Sequence, residues 1–449
     1  MGPLQPLSPM DTTVTALNDV DYTLDIRVPQ AELEPRVTAA LKKQRGSMNL
    51  KGFRPGKVPL SYVKKMVGPQ VAVQIAEEVI GEAFREAVSD RDEYKVIGQP
   101  RLAALEFNPD SADDLHAVVH FGVAPEFELA EMEGVPVTKF VRTFTEADVE
   151  EELDARRARA ATLEPAADGA TVGETDVAVI DIQPVNDEGE PTGPKQRGAQ
   201  IVMADPGLRD ELREALLGKA VGDAFRLDLP HQHGDDEGHD HDDHVDRYTV
   251  EVTAINHRVL PEMDAAFVKA QTGGRHESLD ELRGQIRKEL ERSWERRAQQ
   301  ALEGKMVEQF VEAHDFAVPQ TLVEATLDGM VEELRERQGG ELPAGFDAAA
   351  YRESRREQAE RQVRWLLVKQ KLIEAEEIEV TEADFDAEFE TMTSEDVTAD
   401  MIRAYFLQQP QLLEQMGDTL LNRRVFEALG KRFTVVEKSR EDLERERSS

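Results

Sequence analysis

The residues best placed to do chemistry lie in one short stretch, Gly52-Phe53-Arg54-Pro55-Gly56-Lys57-Val58-Pro59, where an aromatic ring and two cations are set among glycines and prolines. Helix and strand both break at such a run, so it reads as a turn. An aromatic in a hinge has no core to enter. Beside Arg54 and Lys57, Phe53 suits an interface anchor ringed by charge. The alternative is a nucleotide cradle, which needs four residues before the Gly-Lys pair and a Ser or Thr after it to hold Mg²⁺. Here only three residues separate Gly52 from Gly56-Lys57, and Val58 follows. The spacing argues against that reading, and the remaining chain offers no better phosphate cradle, so no ATP-driven cycle is expected.

The flanking sequence shares the basic character of the turn. Between Pro35 and Ala76 stand nine basic residues, Arg36, Lys42, Lys43, Arg45, Lys51, Arg54, Lys57, Lys64 and Lys65, and no Asp or Glu. The whole chain carries −37, so the remainder carries −46 (−37 minus +9). As a whole, such a protein repels nucleic acid and anionic lipid, whereas a segregated basic window offers one face to a polyanion. RNA fits that face better than DNA. A solvated helix surface is the plain alternative for a basic run, and the anchor character of Phe53 weighs against it.

Other function classes fall away on composition. There is no cysteine among the 449 residues, which removes disulfides, thiol nucleophiles and thiolate metal sites together. No run approaches the roughly 18 apolar residues that span a bilayer. Met1 to Ala16 lacks the basic stretch and apolar core of a secretory signal. A cytoplasmic protein that binds no membrane is expected, and no cofactor.

Elements must position the turn. Tyr22, Leu24, Ile26 and Val28 alternate with the period of a half-buried strand. Pro35 suits a first helical position, with Val37, Ala40 and Leu41 giving an apolar stripe toward Lys43. Pro59 starts a second helix through Tyr62 and Val63, a further helix is expected over Val71 to Ala87, and a strand over Asp114 to Val123. Thr145 and Asp148 form a capping box before a polar, connector-like helix over Val149 to Thr162. Short strands follow at Val177 to Ile182 and Tyr248 to Val252, with a helical stretch near Leu208 to Leu217 between them. Ser278 and Glu281 open a second capping box, after which Leu279, Leu282, Ile286 and Leu290 recur at helical spacing. Val318-Pro319 interrupts. Helices are then expected over Leu322 to Glu336, Tyr351 to Glu374 and Met401 to Leu429.

The turn between two helices, Gly-Phe-Arg-x-Gly-Lys-x-Pro, resembles the signature of bacterial trigger factors. In many of them a third basic residue follows the Phe-Arg pair; here Pro55 stands there and Lys57 takes over that contact. The resemblance covers nearly the full length and implies a multidomain α+β protein. Its parts are an α+β ribosome-binding domain (1–130), a helical linker (131–163), an FKBP-like β-rich middle domain (164–258) and an elongated all-α C-terminal arm domain (259–449). The implied function is that of an ATP-independent, ribosome-associated chaperone. It would bind nascent and unfolded polypeptides beside the exit tunnel, meet ribosomal protein and rRNA of the large ribosomal subunit, and form a possible homodimer off the ribosome. Phe53, Arg54 and Lys57, with Lys42, Lys43, Arg45 and Lys51, are the implied ribosome-binding residues.

The resemblance also implies peptidyl-prolyl cis-trans isomerase activity in the middle domain. Such a pocket buries a proline ring against aromatic walls and lowers a rotation barrier of about 18–20 kcal/mol without any acid or nucleophile. The only aromatics between Glu164 and His257 are Phe225 and Tyr248. Leu212 stands where the family pocket has Phe, and Ile182 where many relatives have another. Ile182, Leu212, Phe225 and Tyr248 are therefore the pocket candidates, and weak activity is expected.

Two further patterns bear on function. His231, His233, His239, His241 and His244 lie in an acidic run and have the residue types, though no fixed spacing, for Zn²⁺ or Ni²⁺; an acidic solvated loop is the alternative. Near the C-terminus Met401, Ile402, Tyr405, Phe406, Leu412, Leu413 and Met416 offer apolar, partly adaptable surface for unfolded chains, or ordinary core. Two other functions compete with the chaperone: an enzyme whose main task is prolyl isomerisation, which would need a fuller aromatic pocket, and an acidic RNA-binding protein, which would prefer free RNA to assembled subunits.

Overall fold

In the computed structural model the described residues are 11–48, 53, 57–108, 113–230, 245–343, 345–394, 396–439 and 442. The chain divides into two compact units, one from residues 1–140 with 299–438, the other from 141–298 with 439–449.

The first unit begins with strands β1 (Asp11–Ala16) and β2 (Asp21–Val28), helices α1 (Gln30–Ser47) and α2 (Leu60–Phe84), a π-helical turn (Arg85–Ser89), and strands β3 (Val96–Glu106) and β4 (Leu115–Val123). The strands form an antiparallel sheet in the order β1-β2-β4-β3. Register places Leu24 opposite Val119, Ile26 opposite Ala117 and Val28 opposite Leu115. Since strand side chains alternate faces, these residues share one face, where they are buried in a core with α1 and α2. Strand β5 (Pro136–Phe140) ends this stretch.

Two expectations need correction here. Pro35 lies inside α1, which starts at Gln30. The helices expected from Pro59 and from Val71 are one helix, α2, running through Pro69. Part of a proline's clash with its predecessor is with that residue's Cβ. The predecessor here is Gly68, which has none.

The second unit opens with α3 (Glu146–Arg159), whose capping box joins Thr145 and Asp148 as the sequence indicates. Hydrogen bonds from the Thr145 hydroxyl and backbone, then Arg142, hold the Asp148 carboxyl down at about 2. Strands β6 (Thr162–Pro165), β7 (Val177–Pro184) and β8 (Gln196–Val202), helix α4 (Asp210–Leu216), and strands β9 (Ala224–Pro230) and β10 (Val245–Val259) follow. They make a β-rich region with sheet order β6-β10-β7-β8 and β9 on β10. Helices α5 (Ala265–Thr272) and α6 (Leu279–Glu312) come next, α6 behind the expected Ser278–Glu281 box and belonging to this unit as far as residue 298 and to the first from residue 299. The polar α3 is not a bare connector. Its few apolar side chains, Val149 and Leu153, are fully buried against Phe267, Val268, Leu282 and Ile286.

The rest of the first unit is helical: α7 (Gln320–Arg337), α8 (Ala348–Ala375), α9 (Glu382–Thr391), α10 (Ala399–Leu407) and α11 (Pro410–Arg432). The single helix expected from Met401 to Leu429 is two, because Pro410 has no N–H to continue α10 and instead starts α11. The C-terminal region is not wholly α. Strand β11 (Thr434–Lys438) returns to pair in parallel with β5. Among the described residues no helix is long and apolar enough to cross a membrane.

The sheet and α7 meet in a tight seam. A Cβ on Gly122 would lie 2.6 Å from Pro319 Cβ and 2.8 Å from Thr321 Oγ1, and one on Gly98, at φ +71°, would lie 2.6 Å from Leu322 Cδ2. Only glycine lets β3 and β4 approach so closely. Asp21, buried at 5% exposure, accepts the Gln320 N–H at 2.7 Å and so caps α7. Arg101 of β3 reaches Asp328 of α7 at 2.8 Å.

Candidate functional site

The site grows from the α1–α2 hairpin. Leu33 and Leu41 anchor α1 in the core, and Val63, Val71, Ile75 and Val79 anchor α2. Arg36 of α1 pairs with Glu82 of α2 at 2.6 Å, so this one member of the basic window serves the fold. The turn is pinned at both ends. Met48 packs on the core upstream and Val58, at 1% exposure, is buried downstream.

Outside that anchored frame the charges are uncompensated. Lys42, Lys43, Lys57, Lys64 and Lys65 are exposed and Arg45 is half-buried, and none has a carboxylate partner among the described residues. Phe53 is 39% exposed and its ring partner among the described residues is Tyr62, 5.8 Å away and 47% exposed. Arg54 and Lys51 lie outside the described residues. Sequence reasoning missed that Tyr62, Met66 and Val73, spaced by four and seven, leave an exposed apolar stripe on α2 among Lys64 and Lys65. The spacing was the available signal. It reads as core until the burial is known. Basic heads around exposed aromatic and thioether groups can meet phosphates and an apolar protein surface together.

The pocket candidates of the middle region do come together. Val250 of β10 pairs with Ile182 on one side and Phe225 on the other, and Tyr248 lies two residues along on the same face. Leu212 of α4 packs on the same core, and all four are half-buried there. Lys219 Nζ lies 5.1 Å from the centre of the Phe225 ring. The five histidines, His231, His233, His239, His241 and His244, lie outside the described residues; the segment holding them is flanked by the paired residues Pro230 and Val245.

The C-terminal apolar set divides by helix face. Ile402 and Met416 are buried with Phe389 and Leu420, and Phe406 and Leu413 pack against them. Leu412 is half-buried. Met401 and Tyr405 are exposed, at 57% and 53%, and Leu407, Met392 and Val397 join them outside. Helix α10 therefore carries apolar side chains on its exposed face as well as its buried one.

Comparison with known proteins identifies relatives along the chain. Residues 10–156 match the family model described as bacterial trigger factor protein (TF), and residues 278–431 match that of its C-terminus. The chain is 36% identical over 449 residues to a trigger factor of Salinibacter ruber (strain DSM 13855 / M31), covering 97% of this chain and 96% of the relative. It is 27% identical to a trigger factor of Chlorobium chlorochromatii (strain CaD3), covering 95% and 98%. A solved structure of the trigger factor chaperone aligns at 18% identity and a TM-score of 0.45, over 94% of this chain and 100% of the other. By its identity to these relatives along nearly its whole length, the chain belongs to the bacterial trigger factor family.

Proposed function

We propose that this protein is an ATP-independent, cytoplasmic chaperone that docks on the large ribosomal subunit beside the exit tunnel and holds nascent chains as they emerge. The observation that carries the reading is the α1–α2 hairpin, where Lys42, Lys43, Lys57, Lys64 and Lys65 have no carboxylate partner among the described residues in a chain of net charge −37 and the Phe53–Tyr62 pair is exposed. Phe53, Arg54 and Lys57 form the anchor, and Lys42, Lys43, Arg45 and Lys51 supply attraction toward rRNA. We assign residues 1–130 to docking, 164–258 to the middle domain and 259–449 to client binding, with 131–163 as linker. The exposed Met401, Tyr405 and Leu407 suit adaptable contact with apolar segments of clients. The test is co-sedimentation with ribosomes. Phe53→Ala/Arg54→Ala/Lys57→Ala should abolish most binding while leaving the fold intact, and equal binding would overturn the assignment.

Prolyl isomerisation is a family property that the middle domain is expected to retain only weakly. Ile182, Leu212, Phe225 and Tyr248 are half-buried in the domain core, so little aromatic wall is left for a proline ring. Full acceleration of a proline-limited refolding reaction, at the level of a strong isomerase, would refute this.

A further inference from the structure

We infer that the protein carries a second phosphate-binding site, at the elbow between α5 and α6, formed by Arg275, Lys288 and Arg292 and suited to the phosphodiester groups of RNA. The three side chains line one cavity of about 410 Å³ with His276, Glu281, Gly284, Gln285 and Glu289. Arg275 reaches it because the chain leaves α5 through two left-handed glycines, Gly273 and Gly274, and its Nε donates to the Thr272 carbonyl at 3.0 Å. None of the three cations has a carboxylate partner among the described residues. Both carboxylates on the lining are already committed. Glu281 accepts from the Ser278 N–H and hydroxyl at 3.1 and 3.0 Å, and its other oxygen stands 3.9 Å from His276 Nδ1. Glu289 accepts from Arg156 and from Gln285, each at 2.6 Å.

The rest of the same helix shows what a structural cation looks like. Arg283 pairs with Glu150 at 2.6 Å and with Asp280 at 3.1 Å, and Arg287 pairs with Glu146 at 2.6 Å. The cations that meet α3 are matched one by one. Those at the cavity form no ion pair among the described residues, Arg275 acting on Glu289 only at longer range, although acid outnumbers base by 91 to 54 in this chain. Lys288 and Arg292 are also four residues apart, a like-charge spacing that disfavours the helix unless an anion lies between them. Two planar guanidinium forks and an ammonium around an open hollow match a phosphate better than an isolated carboxylate. Gly284 leaves room on that wall, since a Cβ there would meet nothing within 4 Å. The RNA chemistry is independent of the docking turn; only a role on the ribosome rests on the proposed function.

The experiment titrates a short fluorescein-labelled single-stranded RNA with full-length protein over a salt series. The starting protein is the Phe53→Ala/Arg54→Ala/Lys57→Ala variant, so that the hairpin does not dominate. Adding Arg275→Ser/Lys288→Ser/Arg292→Ser should weaken binding about tenfold and lower the slope of log affinity against log salt by about two, roughly 0.7 for each phosphate no longer neutralised. Changing the paired Arg283 and Arg287 to Ser should leave that slope unchanged. An unaltered slope in the first variant overturns the proposal, as does a loss of affinity for poly-glutamate with none for RNA. Displacement of the RNA by inorganic phosphate at equal phosphate concentration would overturn the polynucleotide assignment. Failure of the unmodified protein to sediment with ribosomes would count against docking and leave this titration standing.

Discussion

The α1–α2 hairpin and the seam between the β3–β4 sheet and α7 belong to the same unit, yet they handle charge and shape in opposite ways. At the seam the charged groups are answered, and the buried Thr321 hydroxyl is the polar atom left without a partner among the described residues. Asp21 meets the Gln320 N–H, Arg101 meets Asp328, and Arg352 of α8 meets both Asp328 and Glu324. Glycines remove the atoms that would collide. At the hairpin, among the described residues, Arg36 alone is answered, by Glu82, and five lysines face solvent beside exposed rings. An interface completed within the chain neutralises its charges and fits closely, because buried unpaired groups are costly. An interface awaiting a partner leaves them open, and water stabilises them meanwhile.

The contrast can be broken by asking which changes alter stability and which alter binding. Gly122→Val should have the largest effect on stability, because its branched side chain must displace Pro319 and Thr321. Overpacking of this kind costs about 1–3 kcal/mol, read from the urea unfolding midpoint, and ribosome binding by the folded protein should stay intact. The docking-turn variant should do the reverse. If Gly122→Val abolished docking while the protein remained folded, the two surfaces would be coupled and the contrast would fail.

A smaller effect should follow pH at a compensated charge on the sheet. His116 of β4 lies 2.9 Å from Asp25 and 3.3 Å from Glu106. The hydrogen bond to Asp25, then that to Glu106, raises the His116 pKa above its usual 6.5, and the bond to His116 lowers that of Asp25 below 3.8. The raised group favours the fold below the unfolded histidine pKa, and this contribution disappears as pH climbs through the folded value. The lowered group favours the fold above 3.8 and its share disappears as pH falls through the folded Asp25 value. His116→Ala should therefore unfold slightly more easily than the natural protein near pH 5.5 and equally easily near pH 9. A gap that widens with alkalinity would contradict this pairing.

Much of the architecture was legible where a pattern is local. The strand at Tyr22 to Val28, both capping boxes and the break at Val318-Pro319 all depend on neighbours within a few residues. Misreadings arose where distant packing overrides local preference. Two helices are expected on either side of residues 64–70, yet α2 runs through Pro69 because its apolar stripe continues into the core and Gly68 carries no Cβ to meet the proline ring. The polarity of α3 conceals two core residues, since two well-placed side chains suffice when α5 and α6 cover them. Strand β11 could not be foreseen, because its partner β5 lies almost three hundred residues away in the sequence.

The same division holds for function. By itself the sequence determined the turn chemistry at Phe53, Arg54 and Lys57, the basic window and the family, because residue identity and net charge do not depend on folding. Only the tertiary structure decided which of those charges are spent. It gave Arg36 to Glu82, left the five described lysines of the hairpin without a carboxylate partner among the described residues, turned Tyr62, Met66 and Val73 outward, and separated the cations of α6 that form ion pairs from those that do not. Whether a charge is compensated depends on groups brought near it by the fold, and that proximity is absent from the linear chain.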